Sequence, residues 1–203
     1  GPGCVHLGLE NADRIGPVGL PGYGWQARIV DKQGSQLPFG ETGELIVKGP
    51  GVMKEYYKDP EATAKTIKDG WLFTGDMARY DKDGFIWLVD RKKDVIIYGG
   101  ENIFPVEIEN FFLKHEKIRD IAVIGVPDER LGEIPTGIIS LKPNTMMCEQ
   151  DVLDFQSELP RYKQLKKIFF GDVPRNPTGK IEKPKLRRIY AEDKRKSMDL
   201  LLK

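Results

Sequence analysis

Five consecutive charged residues, DRKKD at 90–94, divide the chain into two stretches with different periodicities. A run without an apolar side chain has nothing to bury, so it marks a boundary between cores rather than the middle of one. Upstream, residues 25–31 and 43–49 read as strands joined by the turn-rich DKQGSQLPFGET, in which Gly34 and Pro38 supply turn geometry. Pro60 followed by EATAKTIKD suits a short helix with proline at its first position, and residues 71–80 and 85–90 read as two strands around DKDG. The upstream stretch is therefore mostly β.

Downstream, residues 95–98 form a short apolar strand. Pro105 opens a helix that places Ile108, Phe111, Phe112 and His115 on one face and leaves Glu107, Glu109 and Lys114 to solvent. Residues 118–126 and 134–141 are β-branched runs. A second helix carries Val152, Phe155, Gln156 and Leu159 on one stripe, and a strand follows at 167–170. A last helix near 184–196 packs Leu186, Ile189 and Tyr190 against a small sheet. The order strand, helix, strand, strand, helix, strand, helix describes an α+β domain of about 110 residues, ordinary for one domain. The expected organisation is a mostly β part at 1–92 followed by an α+β domain at 93–203, with no internal repeat.

Composition narrows the function classes. With 32 basic and 31 acidic residues, there is no overall electrostatic case for a nucleic-acid or anionic-membrane partner. The two cysteines, Cys4 and Cys148, are far apart, which argues against a disulfide framework and fits a reducing, cytoplasmic compartment. His6 and His115 are the only histidines, and with only Cys4 and Cys148 besides, no zinc spacing can be assembled. No apolar run approaches the roughly 18 residues that a membrane span needs. The first residues, GPGCVHLGLENADRIGPVG, lack a signal-peptide pattern and read as a loop cut out of something larger.

Three short motifs carry little singly. LFTGDM at 72–77 is a strand entering a tight turn, DRKKD a solvated charged turn, and PTGK at 177–180 an exposed loop. A Walker A reading of PRNPTGKIE fails twice, because Pro174 stands where the first glycine belongs and Ile181 follows the lysine. In order, however, they combine with GELIVKGPG at 43–51, DGFIWLVDRKKDVIIYGGENIFPVEIE at 83–109 and VPRNPTGKIEK at 173–183. On these segments nearly the whole chain resembles the adenylate-forming superfamily of acyl-CoA synthetases, aryl-CoA ligases, luciferases and peptide-synthetase adenylation domains.

The resemblance implies an AMP-forming acid–thiol ligase working in two steps. A carboxylic acid reacts with ATP to give an acyl adenylate and pyrophosphate, and CoA then displaces AMP. Residues 1–92 would be the β-rich end of a large ATP- and acyl-binding domain, and 93–203 a mobile lid. By position, Asp76 would accept hydrogen bonds from the ribose hydroxyls, Arg91 would reach the same ribose, and Lys93 would be the hinge. Lys180 would serve adenylation electrostatically, and Gly100 would admit the pantetheine arm of CoA. Mg2+ is expected through residues of the family that lie upstream of the matched stretch, as do its phosphate loop and most of the acyl pocket. The 203 residues alone are therefore expected to be inactive. The pattern of proline, four residues and GK at 174–180 resembles sites acetylated in some members, which implies a lysine acetyltransferase acting on Lys180. Two alternatives remain: a non-catalytic interaction module derived from the same fold, and an adenylation domain of another branch.

Overall fold

The computed structural model describes residues 4–5, 11 and 13–191, which fall into two units, Gly1–Lys93 and Asp94–Lys203. His6, part of the opening loop and the end of the last expected helix lie outside the described residues.

In the first unit, β1 (Cys4–Val5) pairs with β2 (Leu20–Pro21). The main sheet contains β3 (Gln26–Val30), β4 (Gly43–Lys48), β5 (Ile67–Lys68), β6 (Trp71–Tyr80) and β7 (Ile86–Arg91), all antiparallel. Strand β6 takes β4 along one edge and shares the other between β5 and β7. Ile29, Leu45, Val47, Ala78, Tyr80 and Ile86 form the core, and the Tyr80 hydroxyl is satisfied by donating to the Ala27 carbonyl at 2.7 Å. Helix α1 (Pro60–Thr66) starts where expected, because the Asp59 side chain caps the Ala62 N–H and proline occupies the first turn. It buries no residue, so it belongs to the surface.

In the second unit come β8 (Ile96–Tyr98), β9 (Glu101–Ile103), α2 (Pro105–Phe112), β10 (Ile118–Asp128), β11 (Gly132–Leu141), α3 (Glu149–Phe155), β12 (Lys167–Phe170) and α4 (Lys183–Ala191). Strand β11 is central, antiparallel to β10 on one edge and bordered on the other by β12, in parallel, and by β8. The apolar run in β10 follows from a sheet covered on both faces. Ile121 and Val123 pack with Ile108 and Phe112 of α2 and Val152 of α3, whereas Ala122, Ile124 and Val126 pack with Ile138 of β11 and Leu186 of α4. Each large side chain so buried is worth about 1.5–3 kcal/mol, which makes β10 the fixed reference of this unit. No described helix is long and apolar enough to cross a membrane.

The α+β class holds, with corrections in detail. Strand β9 was not expected; it precedes α2 as the return arm of a hairpin with β8. Glu109 does not stay in solvent: it is buried, 2.8 Å from Lys183 Nζ, and its Oε1 accepts the Val123 N–H at 2.8 Å. Ile189 is 51% exposed rather than packed, while Leu186 and Tyr190 do face the sheet side. His115 falls beyond the end of α2 and meets the Phe155 ring edge-on at 4.7 Å.

Candidate functional site

The TGD segment is a bulge in β6. Ile46 pairs with Phe73 and Glu44 with Met77, so Leu45 alone opposes residues 74–76 of β6. Accommodating the surplus requires a left-handed residue, and Gly75 supplies it at φ +72°. A Cβ there would meet no atom within 4 Å, so backbone conformation rather than space demands the glycine. Thr74 Oγ1 donates to the Leu45 carbonyl at 2.7 Å and accepts the Asp76 N–H at 3.1 Å, which closes the bulge from inside.

Register places Asp76 opposite Arg91, and Arg91 Nε lies 2.8 Å from Asp76 Oδ1. Among the described residues the second carboxylate oxygen and the terminal nitrogens of the half-exposed guanidinium have no side-chain partner, and such a set of acceptors and donors is able to meet vicinal hydroxyls. The structure thus brings together the two residues singled out as a ribose clamp.

Lys93 lies in the 3-10 turn Lys92–Asp94, exposed, between two anchored neighbours. Lys92 Nζ is 2.6 Å from Oε2 of the buried Glu44, whose Oε1 accepts the Gly75 N–H at 3.3 Å. Asp94 Oδ1 accepts from Arg187 Nη2 of α4 at 2.8 Å. Lys92 is therefore tied within the first unit and Asp94 within the second, with Lys93 the single residue between the two ties.

In the second unit, Lys180 ends a three-residue hairpin loop. Arg175 and Ile181 form an isolated antiparallel bridge, Asn176 N–H donates to the Lys180 carbonyl, and Gly179 N–H donates to the Asn176 carbonyl. Pro177 and the left-handed Gly179, at φ +81°, are the residues such a loop needs. Asn176 Oδ1 accepts from Thr178 N–H, from the Thr178 hydroxyl and from Lys180 N–H at 2.8–3.0 Å. The Lys180 side chain is exposed and makes no hydrogen bond or ion pair among the described residues.

Gly100 lies on another hairpin. Tyr98 pairs with Glu101, leaving Gly99 at φ +58° and Gly100 at φ +92° as a two-residue loop between β8 and β9. Two consecutive positive φ angles require this glycine pair for the turn itself. A Cβ on Gly100 would meet no protein atom within 4 Å, so the space above it is open.

Glu44 and the Glu109–Lys183 pair were not foreseen as supports. The available signal was an acidic residue at the head of the apolar strand ELIV, and a glutamate one position from Ile108 on α2. Neither signal names its partner, because Lys92 and Lys183 are distant in sequence.

Two family models match the chain: the AMP-binding enzyme over residues 1–57 and the AMP-binding enzyme C-terminal domain over residues 107–180. Among curated proteins, a feruloyl-CoA synthase of Amycolatopsis sp is 41% identical over 192 residues, covering 93% of this chain and 39% of that protein. Among solved structures, ATP-bound MatB from Rhodopseudomonas palustris matches with a TM-score of 0.84 at 36% identity, over 90% of this chain and 37% of that one. The o-succinylbenzoate CoA synthetase (MenE) from Bacillus subtilis, in complex with the acyl-adenylate intermediate OSB-AMP, matches at 0.79 and 33%, over 86% and 36%. The chain spans about a third of the length of the curated relatives it matches.

Proposed function

Because this chain belongs to the AMP-binding, adenylate-forming enzymes, we propose that it supplies the ribose clamp, hinge and lysine-bearing lid of an ATP-dependent acid–thiol ligase. The reaction converts a carboxylate, ATP and CoA into acyl-CoA, AMP and pyrophosphate. The single observation that carries this reading is the Asp76–Arg91 pair, held 2.8 Å apart on a glycine bulge at the positions that the resemblance assigns to the ribose.

In the first step a carboxylate oxygen attacks the α-phosphorus of ATP, the bond to the bridging β-phosphate oxygen breaks, and pyrophosphate leaves with the electron pair. Asp76 accepts from the ribose hydroxyls and Arg91 donates to the same sugar, which fixes the nucleotide. Lys180 remains an ammonium throughout, drawing the incoming carboxylate and the α-phosphate together and offsetting charge that builds on the equatorial oxygens. In the second step the CoA thiol, having lost its proton to solvent, attacks the acyl carbon and AMP departs. The open face of Gly100 admits the pantetheine arm, and rotation about Lys93 exchanges one arrangement for the other. Mg2+ would be held through residues of the family that lie upstream of the matched stretch; among the described residues no three His, Cys, Asp or Glu side chains form a group that could hold a metal ion. No step here runs through it.

The two free thiols, Cys4 and Cys148, support a cytoplasmic setting. The exposed Lys180 is accessible to a lysine acetyltransferase, and acetylation would remove the charge on which the first step depends.

The test uses the complete polypeptide and a panel of ferulate, 4-coumarate, 2-succinylbenzoate and straight-chain fatty acids. CoA-dependent AMP release is expected with at least one acid. Its absence across the panel, together with absent ATP–pyrophosphate exchange, would refute the reading. The 203 residues alone are expected to support no exchange above background.

A further inference from the structure

A lysine side chain has four rotatable bonds, so where its backbone stands sets the region that its ammonium can reach. The peptide plane that decides this for Lys180 joins it to Gly179, whose left-handed conformation carries no side chain to resist a flip. That plane is held at both of its polar ends. Its N–H, on Lys180, donates to Asn176 Oδ1 at 2.9 Å, and its carbonyl, on Gly179, accepts from Arg175 Nη1 at 2.6 Å.

Arg175 is itself immobilised. Its Nε and Nη2 each donate to one oxygen of Asp120 at 2.8 Å, a bidentate fork, while Nη1 turns back to the loop. Asp120 lies on β10, next to the fully buried Ile121, in the strand that both cores grip. The far side of the hairpin is pinned as well, by Glu182 N–H donating to the Pro174 carbonyl at 2.9 Å and by the buried Lys183–Glu109 pair. A continuous chain of contacts therefore runs from the sheet through Asp120 and Arg175 to the peptide bond preceding Lys180.

We propose that Arg175 and Asp120 are positioning residues for adenylation, locking the Gly179–Lys180 peptide plane against β10 so that the base of the Lys180 side chain is set before substrate arrives. The assignment rests on the role of Lys180 given above. Arginine is required because one planar group must serve a carboxylate and a carbonyl together; a lysine ammonium is a point charge without that fork. Asp120 and Arg175 touch no substrate, and their effect passes entirely through Lys180.

Two measurements test it. In the complete polypeptide, Arg175→Met and Arg175→Lys should each slow pyrophosphate release roughly 10- to 100-fold, the scale of a misplacement of about 1 Å. The KM for ATP and the rate of CoA attack on supplied acyl adenylate should stay within about twofold of wild type, since neither step uses the aimed lysine. Asp120→Asn, which keeps one acceptor, should fall between wild type and Arg175→Met. In the 203-residue chain, Arg175→Met should speed exchange of the Lys180 amide about tenfold, the loss expected of one restraining hydrogen bond. Amides of β10 should keep their protection, which separates loosening of the loop from unfolding. Unchanged Lys180 protection, or an equal fall in both half-reactions, would overturn the proposal. A wild-type polypeptide that makes no acyl adenylate would instead defeat the ligase reading, while the exchange experiment would still decide whether Arg175 holds the plane.

Discussion

The two units hold their candidate residues in opposite ways. In the first, restraint is applied to the functional groups themselves: Asp76 and Arg91 are bound to one another across a strand pair, and the bulge beneath them is closed by Thr74 and Glu44. In the second, restraint falls on the backbone of the lysine, since the loop is bonded at Asn176, Gly179 and Lys180 while the lysine side chain makes no hydrogen bond or ion pair among the described residues. A group proposed to bind a ribose gains from being preset. A charge proposed to follow a reacting phosphorus gains from a fixed base and a free tip.

The sharpest way to break this contrast is to remove each group and compare half-reactions in the complete polypeptide. Lys180→Ala should lower the rate of adenylate formation by about 10²- to 10³-fold with little change in the KM for ATP, as for loss of one preorganised electrostatic group. Asp76→Ala should act on binding instead, raising the KM for ATP roughly 10- to 100-fold, equivalent to hydrogen bonds to a charged group worth about 1.5–3 kcal/mol. If Lys180→Ala moved KM and Asp76→Ala moved only kcat, the division of labour would be reversed.

A smaller effect separates the two supporting glutamates, measured by denaturant unfolding. Glu109→Gln leaves the Lys183 ammonium, 9% exposed, without its countercharge, and should destabilise the second unit by about 3–5 kcal/mol. Glu44→Gln leaves Lys92, 56% exposed, free to turn to water, and should cost the first unit no more than about 1 kcal/mol. Equal losses would show that the pairs differ less than their burial implies.

The effect expected at the glycines is smaller than the Glu109 loss. Gly75→Ala and Gly100→Ala each force a Cβ into a left-handed conformation without a clash, at about 1–2 kcal/mol apiece. Gly75→Ala should weaken ATP binding by disturbing the bulge, and Gly100→Ala should slow only the attack of CoA. Interchanged outcomes would move the thiol path away from the hairpin between β8 and β9.

Much of the fold was legible because its strands carry their own signal. Strand β12 runs over the residues expected of it, and the apolar run in β10 announces a strand buried on both faces. Strand β9 was missed because Glu101 and Asn102 lack strand character; it exists because two glycines turn the chain back onto β8. The burial of Glu109 was invisible for a different reason. On a helical wheel it is a polar residue beside a core stripe, and partners from distant elements, Lys183 on α4 and the Val123 N–H on β10 among them, make that position tolerable. Ile189 errs the other way, because the short α4 faces its sheet through Leu186 and Tyr190 and leaves the isoleucine outside.

The sequence by itself determined the family, the order of the elements and the local turns, because TGD, GG and NPTGK encode their conformations within a few residues. It also named Asp76, Arg91, Lys93, Gly100 and Lys180 as the positions to examine. Tertiary structure alone decided what holds them: Arg91 against Asp76 by strand register, Lys92 against Glu44, Asp94 against Arg187, and the Lys180 hairpin against Asp120 through Arg175. Local conformation depends on neighbouring residues, whereas the partner of a charge depends on which distant strand or helix folding brings within about 3 Å.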